Sequence, residues 1–149
     1  MRPNLGRAIV GGVVGTAAMT TLMYGVAPMM GLHMDIAAML GSMLGSWGAG
    51  LTAHIMNGTI VFPLAYALLL FRALRGSPVL RGVVFGVSLW LVAQLIVLPM
   101  MGAGVFSAHA GGATASAASL MGHIIYGGLL GAIAGRPTLT REALAASAA

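Results

Sequence analysis

The chain has 149 residues, of which 59% are hydrophobic and 6% are charged, whereas charged residues make up about 25% of a soluble domain. This composition excludes an ordinary soluble globular protein and a disordered chain, and it is typical of an integral membrane protein. The chain contains no cysteine, which excludes disulfides, thiol catalysis and iron–sulfur clusters. Because Asp35 and Glu142 are the only acidic residues, paired-carboxylate chemistry is also excluded, and we expect no autonomous catalytic activity.

Four apolar stretches are long enough to cross a hydrocarbon core of about 30 Å, which takes roughly 20 helical residues. They lie at about 8–30, 51–71, 83–101 and 116–134. Strands of alternating polarity are absent, so the sequence predicts an all-α membrane protein with four transmembrane helices, forming a single membrane domain over 1–149. A short helix with Asp35 as its N-cap is predicted at about 35–45, and a disordered tail at about 140–149.

The arginines mark one side of this predicted bundle. They are Arg2, Arg7, Arg72, Arg75, Arg81, Arg136 and Arg141. The opposite loops, at about 31–50 and 102–115, contain no Lys or Arg, so the positive-inside rule places both termini in the cytoplasm. Residues 1–27 look like a signal peptide, but their apolar run is longer than a signal core, so we expect them to remain as the first span. The net charge of +5 therefore reflects topology, and we expect a lipid bilayer and no nucleic acid as partner.

The sequence contains an internal duplication. Arg7 and Arg81 open the first and third spans, and both spans end in Pro-Met-Met-Gly, at 28–31 and 99–102. The second and fourth spans share His-x-x-x-Gly, at 54–58 and 123–127. We therefore predict two parallel two-helix repeats, at about 7–72 and 81–136, related by a pseudo-two-fold axis along the membrane normal.

The repeated His-x-x-x-Gly motifs carry the main functional hypothesis. His54 and His123 lie within predicted spans, where an imidazole needs a partner. The glycine one turn further on in each motif would leave room for a flat ligand on the same helix face. Two neutral imidazoles facing each other in a helix bundle suit axial ligation of b-type haem. The predicted cofactor-binding residues are His54, His123, Gly58, Gly127, Asn57 and Tyr126.

A copper site is a second interpretation of the same histidines. His33 and His109 follow the two Pro-Met-Met-Gly segments, and Met30 and Met101 lie within them. The soft thioether sulfur of methionine favours Cu(I). Methionine is also a common filler of apolar interfaces, and no close ligand spacing such as His-x-x-x-His is present. The predicted metal ligands are His54 and His123, with His33, His109, Met30 and Met101 as further candidates.

A third interpretation needs no cofactor. His54 would form an interhelical hydrogen bond with Tyr126 or Ser119, and His123 would form one with Asn57. Each such bond would stabilise the helix packing by about 0.6–2 kcal/mol. The protein would then be a structural subunit or assembly factor of a larger membrane complex of the respiratory type, or a homo-oligomer. Partner helices would dock on its glycine ladders, which are glycines spaced four residues apart along one helix. The ladders are Gly11/Gly15, Gly82/Gly86 and Gly127/Gly131/Gly135.

Two further polar residues occupy matching positions in the predicted repeats. Thr20 and Gln94 each lie 13 residues after the arginine that opens their helix. They would either line a polar path in the membrane or each make one interhelical hydrogen bond.

The arginine-opened first and third helices, the Pro-Met-Met-Gly ends and the His-x-x-x-Gly segments resemble a family of small, uncharacterised bacterial four-helix membrane proteins. The resemblance covers about residues 5–136. It implies a location in the bacterial inner membrane and no established activity. From the residues themselves we predict a redox accessory protein that binds b-type haem or copper between His54 and His123, with the cofactor-free structural subunit as the alternative.

Overall fold

The computed structural model describes residues 4–135, apart from the side chain of Met30. This part of the chain is helical and contains no strand. Its helices are α1 (Leu5–Met29), α2 (Ile36–Leu44), α3 (Trp47–Leu70), α4 (Pro78–Met100) and α5 (Gly112–Ala134), with a 3₁₀ turn at Val105–Ser107 before α5.

Four of these helices, α1, α3, α4 and α5, are long and apolar enough to cross a membrane. The predicted all-α fold with four transmembrane helices is therefore confirmed, and the chain is a multi-pass membrane protein. Helices α3 and α4 begin earlier than predicted because Ser46 and Ser77 cap them, each accepting a hydrogen bond from a backbone N–H of the first turn. Pro78 adds a φ angle suited to the first helical position of α4.

The spans are antiparallel to their packing neighbours, so the described arginines fall at one end of the bundle. We call this end, with Arg7, Arg72, Arg75 and Arg81, the arginine side, and the opposite end the histidine side. Arg2, Arg136, Arg141 and the tail predicted at 140–149 lie outside the described residues. The orientation of the two sides in the membrane stays a prediction.

Helix α5 lies at the centre of the bundle and packs antiparallel against both α1 and α4. Glycines allow very close contact: a Cβ on Gly82 would overlap the Gly127 carbonyl oxygen, and one on Gly11 would lie 3.1 Å from the Leu130 backbone. Close backbone approach of this kind holds helices together in lipid, where the hydrophobic effect does not. The glycine ladders thus serve contacts within the chain, which corrects the expectation that they are free to dock partner helices.

Helix α3 lies at the edge of the bundle. It packs against α1, where a Cβ on Gly12 would overlap the Pro63 ring. Its main contact with α4 is near the arginine side, where the Tyr66 ring centroid lies 5.3 Å from that of Phe85. The histidine-bearing half of α3 therefore packs mainly on α1 and α2, and one hydrogen bond from Tyr126 ties it to α5.

Three of the spans contain π-helical segments that begin six residues before a proline. These segments are Leu22–Val26 before Pro28, Asn57–Val61 before Pro63, and Ala93–Val97 before Pro99. Proline has no N–H to donate and its ring crowds the preceding turn, so the helix widens there. At Pro63, inside α3, the proline is thus accommodated by the π segment Asn57–Val61. Pro28 and Pro99 are equivalent in the predicted repeats, although the duplication itself stays a prediction.

Helix α2 forms a hairpin with the start of α3. A Cβ on Gly50 would overlap the Ala37 carbonyl oxygen, so the two helices are in direct backbone contact. A left-handed residue, Gly45 with φ of 90°, ends α2 and allows the sharp turn into α3. The short helix predicted at about 35–45 is present as α2.

The Asp35 carboxylate ties this hairpin to α1. It accepts a 2.6 Å hydrogen bond from the Tyr24 hydroxyl, a 3.0 Å bond from the Ala38 backbone N–H and a 3.0 Å bond from Trp47 Nε1. These donors, the Tyr24 hydroxyl first among them, stabilise the ionised form and hold the pKa of Asp35 below its usual value. One carboxylate therefore joins α1, α2 and α3 on the histidine side.

Candidate functional site

His54 lies on α3, one turn closer to the histidine side than Gly58. Its side chain is half-buried, and its Nε2 lies 3.1 Å from the Thr20 hydroxyl of α1. The direction of this hydrogen bond depends on the tautomer of the ring. In either tautomer Thr20 fixes the orientation of the imidazole and leaves Nδ1 outside the bond.

His123 lies on α5 and is also half-buried. Its Nδ1 lies 2.8 Å from the Ser119 carbonyl oxygen, one turn earlier in the same helix. Because a carbonyl only accepts, Nδ1 carries the proton in the neutral ring, and Nε2 is left as an unprotonated nitrogen. This is the arrangement in which a histidine presents a lone pair to a ligand while its other nitrogen is held.

The two imidazoles are on different helices that both contact the same part of α1: Thr20 lies 3.1 Å from the His54 ring, and Met19 lies against Gly122, the residue before His123. The structure thus brings His54 and His123 into one region on the histidine side of the bundle. Whether they share a ligand stays a prediction. No group of three or more His, Asp or Glu residues that could hold a metal is found within residues 4–135.

The glycines of the two motifs are in helix contacts. A Cβ on Gly58 would overlap the Thr16 hydroxyl of α1, and a Cβ on Gly127 would overlap the Gly82 carbonyl oxygen of α4. The room for a flat ligand that the sequence suggested beside these residues is therefore occupied. Gly58 allows close contact between α1 and α3, and Gly127 allows close contact between α4 and α5.

Tyr126 closes the space between α3 and α5 one turn inside the histidines. Its buried hydroxyl donates a 2.8 Å hydrogen bond to the Gly58 carbonyl oxygen. Asn57, the other residue expected beside a cofactor, is half-buried and opens the π segment of α3. A porphyrin between the two motifs would require this contact to open.

The hydrogen bonds of the cofactor-free interpretation have different partners from those expected. His54 bonds Thr20 in place of Tyr126 or Ser119, and His123 bonds the Ser119 carbonyl in place of Asn57. The physical reason is that α1 lies next to α3 over this stretch, which places the Thr20 hydroxyl within hydrogen-bond distance of His54. The expected interhelical bond is therefore present at His54, with another partner, whereas the His123 bond lies within α5.

Three of the four further metal candidates are described, in the loops and at a helix end on the histidine side. His33 and His109 are exposed on the histidine-side loops, and His109 Nδ1 lies 3.3 Å from the Gly102 carbonyl oxygen. Met101 is half-buried at the end of α4, and the side chain of Met30 is outside the described part.

Thr20 and Gln94 have separate roles. Thr20 contacts His54, whereas Gln94 is fully buried and accepts a 3.1 Å hydrogen bond from the Ser107 hydroxyl. Gln94 thereby anchors the loop before α5, and the two residues bond different partners. Thr20 was recognisable in the sequence as a polar residue within a span, but its partner was not.

Sequence reasoning missed Met19. A Cβ on Gly122, the residue before His123, would lie 3.3 Å from Cγ, 3.6 Å from Cε and 3.9 Å from Sδ of Met19. The thioether therefore lies against the α5 backbone at Gly122. The only signal in the sequence was its position immediately before Thr20.

A family model described as a family of unknown function (DUF6789) matches residues 3–144 of the chain. This agrees with the resemblance to an uncharacterised family that the motifs suggested. We find no match to the chain among curated proteins or solved structures.

Proposed function

The chain belongs to the DUF6789 family, and we propose that it is a small accessory protein of the bacterial inner membrane that holds a redox-active metal through His54 and His123. The observation that carries this proposal is the hydrogen bonding of the pair. Each imidazole has one nitrogen held by a partner and one nitrogen left over. Held and oriented imidazoles of this kind are what metal sites use.

The packing around the pair favours a bare copper ion over b-type haem. Imidazole suits both groups, but a porphyrin needs a wide slot between helices. The Tyr126–Gly58 hydrogen bond and the filled positions at Gly58 and Gly127 leave little space on the inner side of the histidines. A single ion needs far less space between the helices than a porphyrin does. Haem ligation remains a prediction that the same experiment tests.

The predicted topology indicates on which side of the membrane the metal would be held. With both termini in the cytoplasm, the histidine side faces the periplasm, and the pair lies in the outer half of the membrane. A metal held there would be within reach of periplasmic or membrane-embedded partners. We therefore propose that the protein serves a larger membrane complex, as one of its subunits or as a homo-oligomer that supplies it.

The test is the metal content and visible spectrum of the full chain, purified in detergent from cells supplied with ample copper and haem. We expect bound copper that is lost in both His54→Gln and His123→Gln, while His33→Gln and His109→Gln keep it. Glutamine retains a polar side chain, and circular dichroism reports whether each variant is folded. Sharp haem bands that are lost in both histidine variants would show that the bound group is haem and not copper. A folded wild-type protein with neither metal nor haem would overturn the proposal.

A cofactor-free structural subunit is the second candidate. It is favoured by the fact that Thr20 and the Ser119 carbonyl already give each histidine a hydrogen bond without any ligand. In that case the purified protein is colourless and metal-free, and His54→Gln lowers stability without changing any bound group.

A further inference from the structure

One side-chain amide near the middle of α3 has no hydrogen-bond partner. Asn57 is the eleventh of the 24 residues of this span, so its amide lies near the centre of the membrane. Its polar neighbours on α3 are satisfied: the Thr59 hydroxyl donates to the Ile55 carbonyl oxygen, and the His54 ring is bonded to Thr20. The Asn57 amide makes no hydrogen bond within residues 4–135.

The face of α3 that carries Asn57 is not fully covered by the rest of the chain. Helix α3 lies at the edge of the bundle, and Asn57 is half-buried. Val61, one turn further along the same face, is 46% exposed, and Ile60 is 47% exposed. Hydrocarbon offers no donor or acceptor, so an amide that faces it without a partner is costly. Polar side chains within spans usually meet this need by bonding a neighbouring helix.

The geometry of a membrane dimer matches the chemistry of this side chain. Two copies of one membrane protein have the same orientation, so the two-fold axis of a symmetric dimer lies along the membrane normal. Two α3 helices that meet across this axis are parallel, and each residue lies at the same depth as its own copy. An amide both donates and accepts, so two Asn57 side chains at one depth can bond each other.

We propose that the face of α3 with Asn57 and Val61 is a homodimer interface, in which Asn57 of one copy bonds Asn57 of the other. Val61 packs beside this bond on the inner side. The proposal gives the homo-oligomer considered under the proposed function a defined interface. It does not depend on a bound metal.

The first test is energy transfer between labelled copies of the full chain in phosphatidylcholine–phosphatidylglycerol vesicles, over a range of protein-to-lipid ratios. Asn57→Leu removes the amide at similar volume, and Asn57→Gln keeps an amide. Thr59→Val is the matched control, because it removes a hydroxyl that is already bonded within α3. We expect Asn57→Leu to weaken dimerisation by about tenfold, and the other two variants to stay close to the wild-type protein.

Disulfide cross-linking gives a second readout, because the chain has no native cysteine. Val61→Cys should cross-link two copies on oxidation in membranes. Val92→Cys on α4 should not, although Val92 is 48% exposed and so equally accessible. Equal cross-linking of the two variants, or equal dimerisation of Asn57→Leu and the wild-type protein, would overturn the interface.

A wild-type protein that stays monomeric at every protein-to-lipid ratio would also overturn the second copy as partner, and a different membrane protein would then be the occupant of this face. The two proposals fail separately. A dimer without metal contradicts only the metal-binding function, whereas a monomer that binds metal through His54 and His123 contradicts only the interface.

Discussion

The Tyr126 hydroxyl donates a 2.8 Å hydrogen bond to the Gly58 carbonyl oxygen and so joins α5 to α3 across the bundle. The two residues belong to the two His-x-x-x-Gly segments, in which the sequence suggested a shared ligand. The bond is buried and leaves the Gly58 carbonyl with a partner outside its own helix. It is therefore a packing contact that fixes how far apart the two histidine-bearing helices can be.

Removing this hydroxyl should loosen the bundle measurably. We expect Tyr126→Phe to lower the free energy of unfolding by about 1–2 kcal/mol, because it removes one interhelical hydrogen bond in an apolar environment. Unfolding by SDS in mixed micelles measures the change. Tyr66→Phe is the control, since the Tyr66 hydroxyl lies 3.4 Å from the Pro78 carbonyl oxygen and makes only a weak bond. Equal losses in the two variants would show that the Tyr126 bond has no special role.

The glycine contacts between α4 and α5 give a second prediction. A Cβ on Gly127 would overlap the backbone of Gly82, so Gly127→Ala forces the two helices apart. We expect it to lower the free energy of unfolding by about 1–3 kcal/mol, the usual cost of overpacking.

Gly48→Ala is the matched control for this effect. No atom lies within 4 Å of a Cβ at Gly48, so the substitution should be neutral or stabilise α3 by about 0.5–1 kcal/mol through its higher helix propensity. The same micelle titration compares the two variants. A Gly127→Ala protein as stable as Gly48→Ala would contradict the close contact of α4 with α5.

The Asp35 carboxylate gives a prediction about pH. Its pKa is lowered by the Tyr24 hydrogen bond first and the Ala38 backbone bond second, so the folded state favours the ionised form. The stabilisation it gives is present above the pKa of the unfolded chain and is lost as the pH falls through the lower, folded pKa. The hairpin of α2 and α3 should therefore loosen only in acid.

Trp47 reports this loosening, because its Nε1 donates to the same carboxylate. In a Trp90→Phe background we expect Trp47 emission to shift with a midpoint below the usual pKa of aspartate. Asp35→Asn should remove the transition. A midpoint at or above the usual value would mean that the bonds to Tyr24 and Ala38 do not stabilise the carboxylate.

The sequence predicted the four spans because the bilayer imposes its requirements on each helix separately. Those requirements, the length of the apolar stretch and the position of the arginines, can be read from each segment alone. It also predicted α2 and its cap at Asp35, since Ser, Asp and glycine signals act locally. It could not predict the partners of His54 and His123. Those depend on the rotation of each helix and on which helices are neighbours, and a glycine-rich sequence allows several close packings.

The glycines show this limit most clearly. Gly58 and Gly127 were recognised as positions where a side chain is missing, but the sequence could not say what fills the space. The structure places Thr16 and Gly82 there. Met19 was overlooked for the same reason, because its contact with Gly122 joins α1 to α5, and no spacing within either helix reveals that contact.

The orientation in the membrane is the remaining prediction, and the lack of native cysteine makes it easy to test. We expect an impermeant thiol reagent to label Ser42→Cys and Ala108→Cys in intact cells, since both positions are exposed on the histidine side. Ala73→Cys, exposed on the arginine side, should react only after permeabilisation. The cysteine-free parent protein controls for background labelling. The reverse pattern would place His54 and His123 in the cytoplasmic half of the membrane, and the metal would then have to come from the cytoplasm.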